Sequence, residues 1–225
     1  MIISMRHSLL TILLTLLLLL PLTLQAKSDT PAGSVQILKG RATATSSDGD
    51  IRNIRRGSPI FSNETISTAA GSYSRLELKD ESYIMLRPGT RFYIEAVEFE
   101  EETQEGQGFF SLLKGGFRAV TGLIKQKLNY RYSTTVATIG IRGTDFMTRI
   151  CNGDCADIHP EPENGLYIEV VNDTVVLQNT TGETAYQAGQ YIFIANRSSV
   201  PQLLDFRPAV FVQSPIPVAD PADCL

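Results

Sequence analysis

Apolar residues recur at every second position in short segments along most of this chain, and that period is the strongest constraint on its fold. Successive side chains of a β-strand point to opposite faces of a sheet, so the alternation predicts strands with one buried face. Turn-forming residues separate these segments at intervals of about eight to twelve positions. The chain is therefore predicted to be all-β, with many short strands in a sandwich or a β-solenoid-like arrangement, between which the pattern does not choose.

Individual strands are predicted at residues 34–38, 75–79, 91–95, 166–171, 174–177 and 190–194. Turn residues at 80–81 and 87–89 predict a meander, and those at 172–173 predict a hairpin with a two-residue turn. The alternating apolar positions give the predicted core: Val35, Ile37, Leu76, Leu78, Phe92, Ile94, Val136, Ile139, Ile141, Phe146, Val170, Val176, Ile192 and Ile194.

Both ends of the chain differ from this β region. Residues 1–26 have the order of a secretory signal peptide: Arg6, a leucine-rich run over 9–20, Pro21 and the small Ala26. That run is shorter than the roughly 20 apolar residues of a spanning helix, although an uncleaved anchor is the alternative. We expect cleavage after Ala26, a β domain at 27–197 and, because five prolines follow, an extended Pro-rich tail at 198–225.

Export is expected to leave the mature chain in the periplasm or outer cell envelope, with no membrane span, because no second hydrophobic run follows. Cleavage leaves 19 basic against 24 acidic residues, a formal net charge of −5. A net acidic chain is a poor partner for nucleic acid, which is therefore excluded.

Charge is distributed in blocks. Six glutamates lie within residues 95–105, whereas residues 106–144 contain no acid and six basic residues. One interpretation is a basic sheet face that a solvated acidic loop neutralises. The other is a binding surface for an anionic glycan, a lipid headgroup or an acidic protein, formed by Lys114, Arg118, Lys125, Lys127 and Arg131.

The cysteines predict a disulfide. Cys151 and Cys155 are separated by the turn residues 152–154, and thiols this close pair in an oxidising compartment. Cys224 is then expected to be free or to link two chains. Zinc binding by Cys151, Cys155 and His159 is the alternative, but it requires thiolates that such a compartment disfavours. No metal and no cofactor are expected.

Catalysis is not expected either. Nucleophilic catalysis by a Ser-His-Asp or Cys-His set needs a histidine base, and the mature chain contains only His159, in the loop HPEPEN. Glycoside hydrolysis would need two opposed carboxylates in a cleft, whereas the glutamates of 95–105 crowd a solvated loop. The absence of tryptophan also weakens a sugar-stacking site.

The segment TVATIGIRGTDF, residues 135–146, resembles the central signature of FecR domains. GSVQILKG (33–40), LELKDESYIMLRPGTRFYIE (76–95), LLKGGFRAVTG (112–122) and AGQYIFI (188–194) also match, in the order of that family. The family motif consists of Arg142, Gly143, Thr144, Asp145 and Phe146. Its glycine lets the backbone bend, and its arginine needs a carboxylate partner such as Asp145 or Asp80.

The resemblance implies a sensor-like module of the periplasm or envelope. The best-known members join it to a membrane helix and a cytoplasmic anti-sigma segment, in place of which this chain has an export signal, so direct control of a sigma factor is not expected. The predicted function is a non-catalytic binding or signal-sensing module for an envelope protein or anionic glycan. The alternatives are an enzyme acting on envelope glycans and a structural or adhesion accessory protein.

Overall fold

The computed structural model describes residues 30–122 and 130–212, apart from the side chain of Arg142. Almost all of the regular structure is β-strand, which confirms the predicted all-β class. The strands are β1 (Gly33–Lys39), β2 (Ala42–Thr45), β3 (Ile51–Ile54), β4 (Pro59–Ile60), β5 (Glu64–Thr68), β6 (Tyr73–Leu78), β7 (Tyr83–Leu86), β8 (Arg91–Glu100), β9 (Glu105–Lys114), β10 (Gly116–Val120), β11 (Tyr130–Thr134), β12 (Thr138–Cys151), β13 (Gly165–Asn179), β14 (Gly182–Gln187), β15 (Tyr191–Ile194) and β16 (Gln202–Leu204), and the described helix is α1 (Ala209–Val212).

These sixteen strands form one sheet that is curled like half a barrel, so that its two halves face each other. The first half has the order β3-β2-β5-β8-β9-β11, and the second has the order β10-β7-β6-β1-β4. Strand β12 joins the halves, because its beginning pairs with β11 and its end pairs with β10. Strand β13 pairs along β12 and adds β14 to one half and β15 and β16 to the other.

Strands β12 and β13 bend together where the family motif lies. Gly143 has a φ of 71° and Asp173 on the neighbouring strand has a φ of 63°, and the register shifts between Arg142 and Phe146. An unpaired extra residue of this kind bends a strand and increases its twist. The Oγ1 of Thr144 donates a hydrogen bond of 2.7 Å to the carbonyl of Thr174 across the bend. This bend is what allows one strand to serve both halves.

Aromatic side chains fill the space between the halves. Phe92 and Tyr132 come from the first half, Phe117 comes from the second, and Phe146 comes from the end of β12 that pairs with β10; all four are buried. The ring centroids of Phe92 and Phe117 are 5.1 Å apart, those of Phe117 and Tyr132 are 5.1 Å apart, and those of Tyr132 and Phe146 are 5.2 Å apart. Contacts at this distance add about 0.5–1.5 kcal/mol each to the burial of apolar area.

The predicted core is confirmed except at Ile37 and Val176, which are half-buried. Both errors come from register shifts. The pairing of β1 with β6 shifts between Val35 and Ile37, and the pairing of β13 with β12 shifts between Asn172 and Val170, which changes the phase of β13. Because side chains alternate with a period of two, one extra residue moves the following side chains to the other face. Val175 and Leu177 are therefore buried in place of Val176.

Two predicted connections are wrong. Residues 172–173 do not form a hairpin turn, since β13 continues through them from Gly165 to Asn179 and they form its bulge. Residues 87–89 do form a turn, but β7 and β8 do not pair, so the meander ends there. Strand β7 pairs with β6 and β10, whereas β8 pairs with β5 and β9, and the turn at 87–89 carries the chain from one half of the sheet to the other.

Folded structure continues beyond residue 197, where the sequence placed the end of the domain. Strand β16 pairs with β15, and α1 buries Val210 and Phe211 in a small apolar cluster with the disulfide. Residues 202–212 of the predicted tail therefore contain one short strand and one helical turn, and the proposed division into domains stays a prediction. The predicted signal peptide at 1–26 and the rest of the tail, 213–225, lie outside the described residues. Within residues 30–122 and 130–212, no helix has the length and apolar content needed to cross a membrane.

Candidate functional site: an arginine-lined cleft beside the disulfide loop

The turn between β7 and β8 forms one wall of the site. Gly89 has a φ of 66°, which glycine adopts without strain. Two buried threonines, Thr68 and Thr90, hold the turn by hydrogen bonds. The Oγ1 of Thr68 donates to the carbonyl of Arg87 at 2.6 Å and accepts from the backbone N–H of Thr90 at 3.0 Å. The backbone that carries Arg87 is therefore rigid.

The crossing from β9 to β10 packs directly against this turn. A Cβ on Gly115, whose φ is 84°, would lie 2.6 Å from the Cα of Thr90, so only glycine fits. The Oγ1 of Thr90 donates to the carbonyl of Gly116 at 2.9 Å and accepts from its N–H at 3.1 Å. Both chain crossings are thus held together at one end of the molecule, with Lys114 at the edge.

The five-residue disulfide loop forms the opposite wall. Cys151 and Cys155 are joined, with their Cα atoms 5.5 Å apart, which confirms the predicted pairing. Within the loop, the N–H of Asn152 donates to Oδ1 of Asp154 at 3.0 Å. Since the two sulfurs are bonded to each other, neither is a thiolate that could bind zinc. Cys224 lies outside the described residues.

Asp154 connects this loop to the basic side chains. Nη2 of Arg149 lies 3.4 Å from Oδ2 of Asp154 and donates to the Asp154 carbonyl at 3.1 Å. Nζ of Lys114 lies 4.0 Å from the same carboxylate, and its side chain is 56 % exposed. The closer and more buried partner of Asp154 is therefore Arg149.

Between the two walls lies a cleft of about 350 Å³, lined by Arg87, Lys114, Arg149, Asp154, Pro88 and Ile158 among others. Arg87 is only 6 % exposed and Arg149 only 9 %. Nη2 of Arg87 donates to the Val210 carbonyl at 2.7 Å. Nη1 of Arg87 and Nε of Arg149 are buried and have no acceptor among the described atoms. The cleft therefore has two buried guanidinium groups whose hydrogen-bonding capacity is only partly used.

The electrostatics of Arg87 reflect this environment. Burial, followed by the nearby charges of Arg149 and Arg207, lowers the pKa of the Arg87 guanidinium to about 10. Arg207 is itself paired, because its Nε lies 3.0 Å from both carboxylate oxygens of Glu169. Within the described residues, Arg87 is thus the member of this group that has no carboxylate within ion-pair distance.

The described members of the predicted binding surface, Lys114, Arg118 and Arg131, lie on three different strands. Lys114 lies at the edge of the cleft, whereas Arg118 on β10 and Arg131 on β11 lie in different halves of the sheet. Arg131 is exposed, with its guanidinium 5.6 Å from the Phe109 ring centroid. Lys125 and Lys127 lie outside the described residues. Binding by this set stays a prediction.

The family motif is built into the bend of β12. Asp145 accepts two hydrogen bonds from Arg118, Nε to Oδ1 at 2.8 Å and Nη2 to Oδ2 at 2.6 Å, and this contact raises the pKa of Arg118. The partner expected for Arg142 is therefore held by another arginine, and the Arg142 side chain itself lies outside the described part of the chain. Thr144 and Phe146 are buried. The motif side chains that are described thus have structural partners.

Asp80, the other partner considered for Arg142, lies in a buried polar cluster. It accepts hydrogen bonds from the Oγ of Ser82 at 2.6 Å and from the Ser82 N–H at 3.2 Å. The same Oγ lies 3.2 Å from the Tyr130 hydroxyl, and burial raises the pKa of Tyr130. The phenol is therefore neutral over the physiological pH range, and the cluster joins the β6–β7 turn to β11.

Sequence reasoning missed both arginines of the cleft. The sequence identifies Arg87 only as a turn residue and gives Arg149 no place in the predicted binding surface. The signal available for Arg149 is a charge between apolar neighbours in MTRIC, which requires a buried partner in a strand. His159 is exposed, and no group of three or more His, Cys, Asp or Glu side chains in residues 30–122 and 130–212 is placed to hold a metal ion.

Residues 64–158, from β5 to the disulfide loop, match the model of the family described as FecR protein. The resemblance inferred from the sequence is thereby confirmed, and the matched residues include both walls of the cleft. No curated protein matches the chain.

The solved structures that this chain matches include two crystal structures of a candidate anti-sigma factor from Parabacteroides distasonis ATCC 8503, at 1.65 and 2.50 Å resolution. They are 14 % and 13 % identical to this chain, with TM-scores of 0.47 and 0.46. Each comparison covers 62 % of this chain and 58 % of that protein, so this chain matches less than two thirds of its length.

Proposed function

We propose that this chain is an exported, non-catalytic protein of the bacterial cell envelope whose FecR domain is a binding or signal-sensing module for a protein or an anionic glycan. The observation that carries the proposal is the FecR match over residues 64–158, because this family is one of sensor-like modules. The partner contact is proposed at the basic residues of the acid-free segment 106–144.

Export is supported by the bond between Cys151 and Cys155, since disulfides persist in oxidising compartments. The test is the intact mass of the protein recovered from the envelope fraction of its native host. The expected species begins at Lys27 and contains one disulfide. A full-length species in the membrane fraction would contradict cleavage after Ala26.

Partner binding is tested with the purified mature chain on a support, exposed separately to envelope protein extract and to the anionic polysaccharide of the envelope. We expect one defined component to be retained. Retention should be lost in the variant Lys125→Gln, Lys127→Gln, Arg131→Gln and kept in a matched control, Arg41→Gln, Arg55→Gln, Lys79→Gln, which removes the same charge from other positions. Arg118 stays unchanged because it is paired with Asp145.

The result distinguishes the classes of function. Retention of nothing by the wild-type chain would overturn the binding proposal, and equal retention by both triple variants would exclude the basic segment as the contact. Release of soluble sugar from the polysaccharide would instead identify an enzyme. Wild-type and control proteins must give the same unfolding curve for the comparison to count.

A further inference from the structure

The arginine-lined cleft contains more buried positive charge than the described residues neutralise. Burying a charge is costly unless it is paired and hydrogen-bonded, and native structures rarely leave buried polar atoms without a partner. Arg149 has Asp154 and Arg207 has Glu169, whereas Arg87 has only the neutral carbonyl of Val210. The lining of the cleft thus combines three basic side chains, Arg87, Lys114 and Arg149, with two carboxylates, Asp154 and the exposed Asp157.

The described residues contain three buried side-chain nitrogens without an acceptor, and the one outside the cleft has a different environment. Nε of Arg75 also has no acceptor, but its guanidinium lies 4.4 Å from the centroid of the Tyr83 ring, whose face stabilises the charge. Among the described residues, no aromatic ring lies over the guanidinium of Arg87 or Arg149. An oxyanion in the cleft would supply negative charge to the guanidinium groups that line it.

The cleft has room for such a ligand. Its volume is about 350 Å³, and a Cβ placed on Gly71 or Gly89, which line it, would meet no atom within 4 Å. Pro88 and Ile158 give it two apolar patches on opposite walls. A compact ligand of the size of a sugar ring fits, with its anionic group towards the arginines and its body against these patches.

The site is also rigid before any ligand arrives. Thr68 and Thr90 hold the Arg87 backbone, Gly115 and Gly116 pack against Thr90, and the disulfide closes the loop that carries Asp154. Groups fixed in advance lose little conformational entropy on binding, which favours affinity.

From these contacts we propose that the cleft binds a small oxyanion, a single carboxylate or phosphate group on a body no larger than a monosaccharide. Arg87 and Arg149 bind the anionic group, and Lys114 attracts it from the rim. This inference goes beyond the proposed function, because it adds a second recognition site, at turns 87–89 and 151–155, to the contact tested at residues 125, 127 and 131.

The test is calorimetric titration of the purified, oxidised mature chain with three probes: inorganic phosphate, glucuronate and glucose. Glucose is the matched control for glucuronate, because it has the same ring without the carboxylate. We expect glucuronate, phosphate or both to bind, with an affinity that falls as salt is added. Binding of phosphate alone would indicate a free anion as the ligand, and binding of glucuronate alone would indicate a sugar acid.

Three variants locate the binding. Arg87→Lys keeps the charge but loses the planar fork of donors, and should weaken binding about tenfold, the factor for one hydrogen bond to a charged group. Lys114→Gln, at the exposed rim, should weaken it about threefold. Lys79→Gln, an exposed lysine elsewhere, should leave it unchanged. Because Lys114 makes only a 4.0 Å contact, its variant should fold normally even if Arg87→Lys does not.

Three outcomes would overturn the inference: no binding of either anion at concentrations up to roughly 20 mM, where even a weak site is occupied; equal binding of glucose and glucuronate; or anion binding that neither Arg87→Lys nor Lys114→Gln changes. None of these affects the retention experiment, whose variants lie at residues 125, 127 and 131. Failure of the oxyanion site and failure of the binding function are therefore separate results.

Discussion

The bend of β12 and the arginine-lined cleft differ in how their buried charged side chains are paired. At the bend, Asp145 and Arg118 form a bidentate pair with side chains only 15 % and 17 % exposed. At the cleft, Arg87 is even less accessible, at 6 % exposed, but its hydrogen-bond partner is a neutral backbone carbonyl. At the bend, the charges are paired within the protein. At the cleft, positive charge is left without a carboxylate partner for Arg87 and is available to a ligand.

This difference separates the residues that define the family from those that are candidates for binding. The motif at 142–146 bends a strand so that one sheet can form two facing halves, and Thr144, Asp145 and Phe146 each have a structural partner. The arginines lie on a turn and at a strand end that the motif does not include. A strong sequence signature therefore identifies this fold better than it identifies the site.

The largest expected effect is at the bend. Phe146→Ala removes a fully buried ring that contacts Phe117 and Tyr132, and should lower the free energy of unfolding by about 3–5 kcal/mol. Urea unfolding followed by circular dichroism measures it. Phe206→Ala is the control, because that ring is 66 % exposed and its loss should change stability by less than about 0.5 kcal/mol. Equal effects would mean that the halves are not held by this aromatic core.

Two glycines at the cleft test how tightly the crossings are packed. Gly115→Ala places a Cβ 2.6 Å from the Cα of Thr90, and should cost about 3 kcal/mol from strain and overpacking together. Gly89→Ala has a similar positive φ but meets no atom within 4 Å, and should cost about 1 kcal/mol from strain alone. Thermal unfolding of the two variants gives the difference, and its absence would show that the β9–β10 crossing is loose.

Matched arginine variants test the electrostatic contrast directly. Arg118→Met leaves the mostly buried Asp145 carboxylate unpaired and should cost about 2 kcal/mol. Arg87→Met loses the bond to the Val210 carbonyl but also removes an uncompensated charge, so its net effect should stay within about 1 kcal/mol. Chemical unfolding at neutral pH and low salt compares them. A larger loss for Arg87→Met would show that Arg87 is there to anchor α1.

The effect of Arg87→Met on the free energy of unfolding should depend on pH in a defined direction. The folded-state pKa of Arg87, about 10, is below its ordinary value, so the folded state disfavours the charged group. The penalty is complete below pH 10 and is released as pH rises above it. Any stabilisation that Arg87→Met gains from removing the charge should therefore be constant from pH 6 to 9 and decrease above pH 10.

The sequence predicted the fold because period-two alternation directly reflects a sheet with one buried face. It failed where a bulge changes the phase, at Ile37 and Val176, and where a turn-like pair, residues 172–173, forms that bulge within a continuous strand. Asn and Asp tolerate positive φ in both settings, so local sequence does not distinguish them. Pairing with β12, 30 residues away in sequence, determines whether residues 172–173 form a turn or a bulge.

The disulfide could be predicted from the sequence because its two cysteines are four positions apart, whereas the cleft could not. Arg87, Lys114 and Arg149 are separated by 27 and 35 positions and meet only because both chain crossings and the end of β12 lie at one end of the sheet. The predicted set of basic residues is close together only in sequence, within residues 114–131. The curled sheet places its described members on separate strands.

The smallest expected effect concerns the disulfide that borders the cleft. Replacing Cys151 and Cys155 by Ser should lower the free energy of unfolding by at most about 2 kcal/mol, because a five-residue loop restricts the unfolded chain only slightly. The change should be local, since Asp154 lies in this loop and its contact with Arg149 depends on the loop geometry. Hydrogen exchange should therefore increase at residues 150–158 and stay unchanged in the bend of β12. Cys224→Ser is the control and should leave both stability and exchange at wild-type values. Faster exchange throughout β12 and β13 after removal of the disulfide would instead show that the loop stabilises the bend. The bend and the cleft would then unfold as one cooperative unit and not as two separate regions.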